Sequence, residues 1–331
     1  MTGARMAGLR MLRAGPLCTV QDGGRHGYLR FGVTPAGPMD WVSHATANVL
    51  VGNAQAAAAV EVGPAGMSFT TAATLRVAIA APGFRVLRVG SAVPSHSVLT
   101  LAPGMVIDIV PGPWGVWGYV ALPGGVAGTP IMGSMASHLR SGLGARALMA
   151  GDDVGANGGG SNGGGGNDVG AKGPDACLIL PVPRDTPAIR YIPGPQDHLF
   201  APDVHDRLQT ASFAISARSD RMAYRLSGPA LPAIGAHDIV SDGIAMGAIQ
   251  VPGDGQPFVL MADRQPTGGY PKIGTVIRAD LPRLAQMRGG QEVRFQAVTV
   301  DVAVAALRAA VNGMAAVPGQ LRRMRFHGEG R

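Results

Sequence analysis

The chain has 331 residues, enough for two domains that each bury a core without disulfide or metal cross-links. Its 50 glycines and 26 prolines favour a loop-rich β protein, and an apolar content of 46% argues against general disorder. The formal charge of +7 comes mainly from arginine, and no basic stripe interleaved with aromatic residues predicts nucleic-acid binding.

The first half reads as a tail followed by a domain rich in short strands. Residues 1–12 are predicted to be a loose N-terminal tail, and residues 13–150 a first domain. Asp40 is the expected cap of a helix from Val42 to Leu50, and Asn53 begins a possible second helix that ends near Ala59. Short apolar runs separated by glycine or proline predict six strands. They are Met67–Phe69, Leu75–Ala80, Phe84–Val89, Val98–Leu101, Met105–Val110 and Val116–Leu122.

The second half begins after a glycine-rich segment. Residues 151–175 are predicted to be a flexible linker because they contain almost no large apolar group. Residues 176–315 form the expected second domain, and residues 316–331 a basic C-terminal tail. Predicted strands are Ala188–Tyr191, Ser212–Ala217, Phe258–Met261, Thr275–Ile277 and Glu292–Ala297. Predicted helices are Asp203–Gln209, Leu281–Met287 and, with Asp301 as its cap, Val302–Val311.

Two polar features in the first half are candidate site elements. Asp22 and Arg25 lie in a glycine-dense turn, which is either held by side-chain hydrogen bonds or binds a ligand. Glu61 is a charge inside the apolar run Ala59–Val62, so its carboxylate must be paired or exposed. Both a structural role and a role in a site remain open for Glu61.

The richest chemistry lies between residues 240 and 272. Gln250 precedes the predicted strand Phe258–Met261, and this strand leads directly into a polar turn. The candidate residues in this turn are Asp263, Arg264, Gln265, Gly268, Gly269, Tyr270 and Lys272. Glycine amides beside a cation are suited to holding an oxyanion, a carboxylate or a phosphate. The alternative is a rigid turn whose polar groups bond one another. Arg221 is a further candidate that either clamps a carboxylate or pairs with a neighbouring acid.

Several kinds of site are not predicted. No phosphate-binding GxxxxGK[ST] motif occurs, and the histidines and the two cysteines, Cys18 and Cys177, have no metal-ligand spacing. We therefore expect no metal site. We find no secretory leader and no 18-residue apolar run, so we expect a cytoplasmic protein that does not contact a membrane.

Long motifs in both halves resemble the biotin-dependent carboxyltransferase family. They are TVQDGGRHGY, GVTPAGPMD, ANVLVGN, AAAVEV, GYVALPGG, IMGS, GPQDHLF, SDRMAYRL, GAIQVP and LMADRQPTGGYPKIGTVIRADLPRLAQ. The family includes the C subunit of bacterial 5-oxoprolinase, allophanate-hydrolase-subunit-2-like and Kip-type antikinase-antagonist proteins, and the carboxyltransferase domain of urea carboxylase. His26 stands where the family usually has proline, and Pro266 where it usually has threonine.

The resemblance implies a mainly β fold with a few helices, arranged as two cyclophilin-like β-barrel domains with a site in the cleft between them. It also implies a B-subunit-like (KipI-like) partner and an A-subunit-like (LamB/YcsF-like) partner. The leading hypothesis is an ATP-dependent 5-oxoprolinase complex that opens a lactam to glutamate. The alternatives are biotin-dependent carboxyl transfer to a urea-like acceptor and a non-catalytic regulatory partner, which the departures at His26 and Pro266 motivate.

Under the leading hypothesis each candidate residue has an expected role. Lys272 is expected to stabilise negative charge, and Asp263 or Glu61 to act as the base. The expected substrate-binding residues are Asp22, Arg25, Arg221, Gln250, Gln265, Gly268, Gly269 and Tyr270. ATP is expected to act through the complex, with Mg²⁺ only as its counter-ion. Biotin is expected only on a partner chain, because no Met-Lys-Met attachment motif occurs.

Overall fold

The computed structural model describes residues 7–157, 173–179, 188–235 and 238–324. The chain divides into two units, which are considered separately. Unit 1 comprises Met1–Gly24, Asp40–Pro181 and Gly313–Arg331, and unit 2 comprises Arg25–Met39 and Val182–Asn312. The short segment Arg25–Met39, which the sequence placed in the first half, therefore belongs to unit 2.

The residues of unit 1 that the structure describes form short antiparallel strands, numbered in chain order, and helix α1 (Trp41–Leu50). The strands are β1 Gly8–Ala14, β2 Thr19–Gln21, β3 Ala59–Val62, β4 Met67–Thr71, β5 Leu75–Ala80, β6 Arg85–Arg88, β7 Ser91–Val93, β8 His96–Leu101, β9 Ile107–Val110, β10 Gly118–Ala121, β11 Asp153–Gly155, β12 Ala176–Cys177 and β23 Arg322–Arg323. They form a six-stranded sheet in the order β11-β1-β4-β9-β6-β7 and a seven-stranded sheet in the order β2-β3-β10-β5-β8-β12-β23.

Alternation along these strands separates an apolar core from a polar layer in unit 1. Val60 and Val120 point into the core, whereas Glu61 and Tyr119, their neighbours in sequence, point to the other face of the same sheet. Helix α1 (Trp41–Leu50) contacts β10, β5 and β3. The buried residues of α1 are largely small or polar, so the layer between helix and sheet is rich in hydrogen-bonding groups.

The described part of unit 2 has ten strands and the larger share of the helices. The strands are β13 Ile189–Pro193, β14 Phe213–Ile215, β15 Ala223–Ser227, β16 Asp242–Gly243, β17 Ala248–Gln250, β18 Phe258–Leu260, β19 Thr267–Gly268, β20 Lys272–Val276, β21 Glu292–Val293 and β22 Phe295–Ala297. The helices are α2 Pro202–Thr210, α3 Leu281–Ala285 and α4 Val300–Ala316, which crosses the division between the units. Eight strands pair in the order β21-β14-β15-β18-β17-β20-β13-β22, and β16 pairs with β19.

The register of unit 2 positions the candidate residues. β17 lies between β18 and β20, and its pairing with β20 places Gln250 opposite Lys272. The ladder shifts by one residue between Ile249 and Gln250. The β16–β19 pair places Asp242 opposite Gly268. Residues that are distant in sequence therefore converge at the start of β20.

The mainly β fold with a few helices is confirmed, and its sheets are barrel-like. The helix predicted after Asp40 is also confirmed, because Asp40 Oδ1 accepts hydrogen bonds from the backbone N–H groups of Val42 and Ser43. The second helix predicted from Asn53 is wrong. Asn53 instead donates from its side chain to Leu122 O, and β3 begins at Ala59.

Three predictions about the chain ends need correction. Residues 8–12 are not a loose tail, because β1 pairs with β4 and β11 and buries Leu9 and Met11. Helix α4 begins earlier than expected, and Thr299 Oγ1, rather than Asp301, accepts from the N–H of Val302 at 3.4 Å. In the C-terminal tail, β23 pairs with β12, while residues 325–331 lie outside the described residues.

The glycine-rich linker is only partly described. Residues 158–172 lie outside the described ranges. At its start, Asp153–Gly155 forms β11 rather than coil, because Val154 is buried in the core of unit 1. At its end, Asp175 forms an ion pair with Arg88 at 2.7 Å and accepts from the N–H of Thr100 at 2.7 Å.

Among the residues that the structure describes, one helical segment is long and apolar enough to cross a membrane, judged by length and composition alone. It spans Val300–Gln320, and little of it is buried. Sequence inspection missed it because Asp301 and Arg308 interrupt the apolar run, although the mean hydropathy of the segment stays high.

Candidate functional site

Arg221 and Asp263 bind each other in the core of unit 2. The Arg221 guanidinium donates from Nε to Asp263 Oδ2 at 2.9 Å and from Nη2 to Oδ1 at 2.8 Å. Nη2 also donates to Gly37 O at 2.8 Å, and both side chains are buried. A guanidinium held in this way is not presented to a substrate carboxylate. The geometry therefore favours a structural pair over the predicted clamp and base.

Lys272 and Gln250 form the centre of the candidate site. They are cross-strand neighbours on β20 and β17, and both are buried. The Gln250 side chain donates from Nε2 to Tyr270 O at 3.3 Å, so its Oε1 faces the other way. Because paired residues on neighbouring strands point to the same face of a sheet, the Gln250 and Lys272 side chains lie next to each other on one face.

Three buried polar atoms near this point have no hydrogen-bond partner of good geometry among the residues that the structure describes. They are Gln250 Oε1, Gln265 Oε1 and Lys272 Nζ, the last of which nevertheless lies 3.1 Å from the Asp242 carboxylate. A Cβ atom built on Gly268 would lie 3.1 Å from Gln250 Nε2 and 3.6 Å from Gln265 Nε2, which places the two amides close together. Buried polar atoms are almost always satisfied in folded proteins, so such a cluster is typical of a site that takes a ligand or ordered water.

Asp242 supplies the negative charge of the cluster. Its Oδ2 forms an ion pair with Lys272 Nζ at 3.1 Å, and its own side chain is about half exposed, 53%. The Lys272 ammonium lowers the pKa of Asp242, so this group is a carboxylate at neutral pH. The sequence contained the motif around Asp242 but gave no sign that β16 pairs with β19 and carries Asp242 to Lys272.

Gly268 is closely packed against the end of a flexible side chain. A Cβ atom there would lie 2.7 Å from Ile244 Cδ1. Thr267 and Gly268 pair with β16, so this part of the segment is a strand rather than the open anion-binding turn that the glycines predicted. Gly269 O accepts from the N–H of Ile239 at 2.6 Å. The partly exposed Tyr270 ring packs edge-on against Phe258, with ring centroids 6.3 Å apart.

Arg264 is a second buried cation in this loop. Its Nε donates to Ile244 O at 2.9 Å, and no carboxylate lies within ion-pair distance of its guanidinium in the described ranges. Burial lowers the pKa of Arg264 to about 10, although the nearby Asp263 opposes that shift. From the sequence, Arg264 was a candidate for holding an anion together with the glycine amides and Lys272.

The candidate residues of unit 1 have structural partners. Asp22 accepts from Gly24 N at 2.9 Å, from Ser134 Oγ at 2.6 Å and from Met135 N at 2.6 Å. It therefore fixes a tight turn. Glu61 is fully buried and accepts from the Tyr119 hydroxyl at 2.7 Å. Burial, with the Glu61 charge, raises the pKa of Tyr119 well above its ordinary value.

Arg25 belongs to unit 2, where its N–H donates to Pro35 O at 2.7 Å and closes the loop 25–35. Its side chain is buried. The structure thus brings Gln250, Gln265, Gly268, Tyr270 and Lys272 close together with Asp242. No group of three or more His, Cys, Asp or Glu side chains suited to a metal ion occurs in the described part of the chain.

Comparison with known families and proteins gives consistent matches. The model of the carboxyltransferase domain, subdomain A and B, matches residues 31–297. The 5-oxoprolinase C subunit of Escherichia coli is 33% identical over 303 residues, which cover 90% of this chain and 94% of that protein.

Two solved structures share the fold. The crystal structure of TTHA0988 is 32% identical with a TM-score of 0.76, covering 89% of this chain and 56% of that chain. The urea amidolyase of K. lactis is 22% identical with a TM-score of 0.82, covering 98% of this chain and 21% of that chain. This chain therefore spans about half of the first structure's chain and about a fifth of the second.

Proposed function

Because the chain belongs to the carboxyltransferase domain, subdomain A and B, family, we propose that it is the C-subunit-like component of a complex that opens 5-oxoproline to glutamate with ATP hydrolysis. The Escherichia coli relative, a 5-oxoprolinase C subunit, supports this proposal because the alignment covers nearly the whole of both chains. We further propose that the chain works with A-subunit-like and B-subunit-like partners.

The observation that carries the proposal is the cross-strand placement of Gln250 opposite Lys272, with a buried side-chain oxygen on one and a buried ammonium on the other. Gln250 Oε1 accepts no hydrogen bond within the described part of unit 2, and Lys272 Nζ is a donor whose contact there is the Asp242 carboxylate, 3.1 Å away. A lactam is a cis amide, so its N–H donor and C=O acceptor lie on the same edge of the ring. This edge complements the cross-strand pair, with the N–H on Gln250 and the oxygen on Lys272.

The chemistry follows from the charge on Lys272. Water adds to the lactam carbonyl, the C–N bond breaks, and the nitrogen takes a proton, which leaves glutamate. Negative charge develops on the carbonyl oxygen, and an oriented donor at that position lowers the barrier by about 3 kcal/mol. Asp242 acts as a positioning residue, since its carboxylate holds the ammonium in place. Asp263 is a poor choice of base because Arg221 occupies both of its oxygens.

We assign the nucleotide to a partner chain. The glycine segment that most resembled an anion cradle is paired with β16 through Thr267 and Gly268, and its neighbouring carboxylate, Asp242, would repel phosphate. No step of the reaction is therefore assigned to ATP within this chain.

The test is reconstitution. The purified chain is mixed with the A-subunit-like and B-subunit-like chains, and glutamate release from 5-oxoproline is measured with and without ATP. We expect ATP-dependent release that disappears when any chain is omitted. A folded, assembled mixture that releases no glutamate would reject the proposal.

A second candidate is biotin-dependent carboxyl transfer to a urea-like acceptor. It is favoured by the fold match to the urea amidolyase, whose chain is nearly five times longer. The edge of biotin's ureido ring also presents N–H and C=O groups, so Gln250 and Lys272 fit it, with the biotin attached to a partner chain. The chain is mixed with a biotinylated carrier protein, its biotin carboxylase, ATP and bicarbonate; avidin-sensitive carboxylation of urea would support this function, and its absence with carboxylated carrier present would exclude it.

A further inference from the structure

Helix α4 carries an exposed apolar stripe with coiled-coil spacing. The residues Val300, Val304, Leu307 and Val311 are separated by four, three and four positions, the alternation that places side chains along one helical seam. Val300, Val304 and Val311 are 59%, 40% and 41% exposed, and Leu307 is half-buried. A helix this apolar is normally covered on such a face.

Two charges flank the stripe one heptad apart. Asp301 and Arg308 each follow a seam residue, and both are exposed. When two such helices pair antiparallel, Val300 lies opposite Val311 of the other copy and Val304 opposite Leu307. Asp301 and Arg308 occupy the same heptad position beside the seam, and in an antiparallel pair such positions face each other. Asp301 of each copy therefore lies opposite Arg308 of the other, which gives two oppositely charged pairs.

We infer that this stripe is the surface through which two copies of the chain associate, by antiparallel pairing of α4 with α4. The other flank of the seam carries Ala303 and Ala310, whose small side chains allow the helices to approach closely. The inference does not depend on the proposed function.

The charges also distinguish this occupant from a membrane. The segment is long and apolar enough to cross one. Asp301 and Arg308 would then enter the apolar layer, at a cost of up to about 3 kcal/mol for a charge near its centre. Pairing with a second copy instead uses both charges as complements.

The first experiment measures mass against concentration for the full chain by analytical ultracentrifugation. We expect a rise from the mass of one chain towards that of two. Val304→Glu should keep the chain monomeric throughout. Val302→Glu is the matched control, since Val302 is similarly exposed, 44%, but lies on the opposite side of α4, and it should leave association unchanged. Circular dichroism confirms that each variant is folded.

The second experiment exchanges the flanking charges. Asp301→Arg alone places arginines opposite each other at two sites and should weaken association about tenfold. Combining Asp301→Arg with Arg308→Asp restores complementary pairs and should return the dissociation constant to within about twofold of the original.

Each of the other results overturns the inference. These are a wild-type chain that stays monomeric, loss of association in the Val302→Glu control, and a double charge exchange that fails to restore pairing. If the chain instead sediments with anionic phospholipid vesicles, the stripe binds a membrane. If it binds only a B-subunit-like chain, and Val304→Glu abolishes that binding, the stripe is the surface for that partner.

Discussion

Replacing Arg221 with alanine should destabilise unit 2 rather than remove a substrate clamp. The substitution deletes both hydrogen bonds to Asp263 and the bond to Gly37 O. Asp263 is buried, so its carboxylate loses a compensating charge that solvent cannot replace. Removing one partner of a buried pair costs about 3–5 kcal/mol, and the carbonyl left without its donor adds about 1 kcal/mol or more.

The free energy of unfolding, measured by urea titration with circular dichroism, tests this magnitude. Arg225→Ala is the matched control, because Arg225 is an exposed arginine of the adjacent strand β15, and it should change stability by less than about 0.5 kcal/mol. Arg221→Met combined with Asp263→Leu should recover most of the loss, because no unpaired charge then remains buried.

The opposite outcome would refute the reasoning. If Arg221→Ala unfolds at the same urea concentration as the unaltered chain yet abolishes 5-oxoproline turnover in the complex, then Arg221 binds substrate. The hypothesis drawn from the sequence alone would then be correct, and the buried pair would be incidental to stability.

Three further predictions concern other contacts. Tyr119→Phe removes the hydroxyl that donates to buried Glu61 and should lower the free energy of unfolding by about 1–3 kcal/mol; an unchanged value in urea titration would contradict a structural role for Glu61. Burial lowers the pKa of His96 from 6.5 to about 4, so the unfolded chain binds more protons between these values. The free energy of unfolding should therefore fall as the pH drops from 6.5 towards 4, and His96 should account for a loss of about 2 kcal/mol at pH 5. In His96→Gln, thermal melts at pH 7 and pH 5 should show a smaller loss of stability than in the unaltered chain. Gly268→Ala places a methyl group 3.1 Å from Gln250 Nε2 and should lower kcat/KM of the complex about tenfold with little change in melting temperature; full activity would argue against Gln250 as a ligand.

The strand pattern could be predicted because it depends on local alternation. Leu75–Ala80 is a strand over the predicted residues, since its side chains alternate between the two sides of a sheet and glycine or proline follows soon after. The helix predicted from the alanines after Asn53 was wrong because contacts distant in sequence override the local preference there. Alanine favours a helix locally, but Asn53 is fixed by the side chain of Asn48 and by Leu122 O.

The residues of the candidate site could be predicted from the sequence, but the contacts between them could not. The segment 263–272 could be recognised because many polar residues follow a buried strand. Which groups pair is decided by contacts distant in sequence: Asp263 with Arg221, and Lys272 with Asp242. Asp242 lies in a two-residue strand, too short to produce a periodic signal.

The most direct test of the central claim is the turnover of a reconstituted complex that contains Lys272→Met. Methionine fills nearly the same volume without the charge, so the variant should fold and assemble, which size-exclusion chromatography verifies. We predict that glutamate release from 5-oxoproline falls about a hundredfold, the loss expected when a charge-stabilising donor is removed. Turnover equal to that of the unaltered complex would show that the Lys272 cluster does not carry the chemistry.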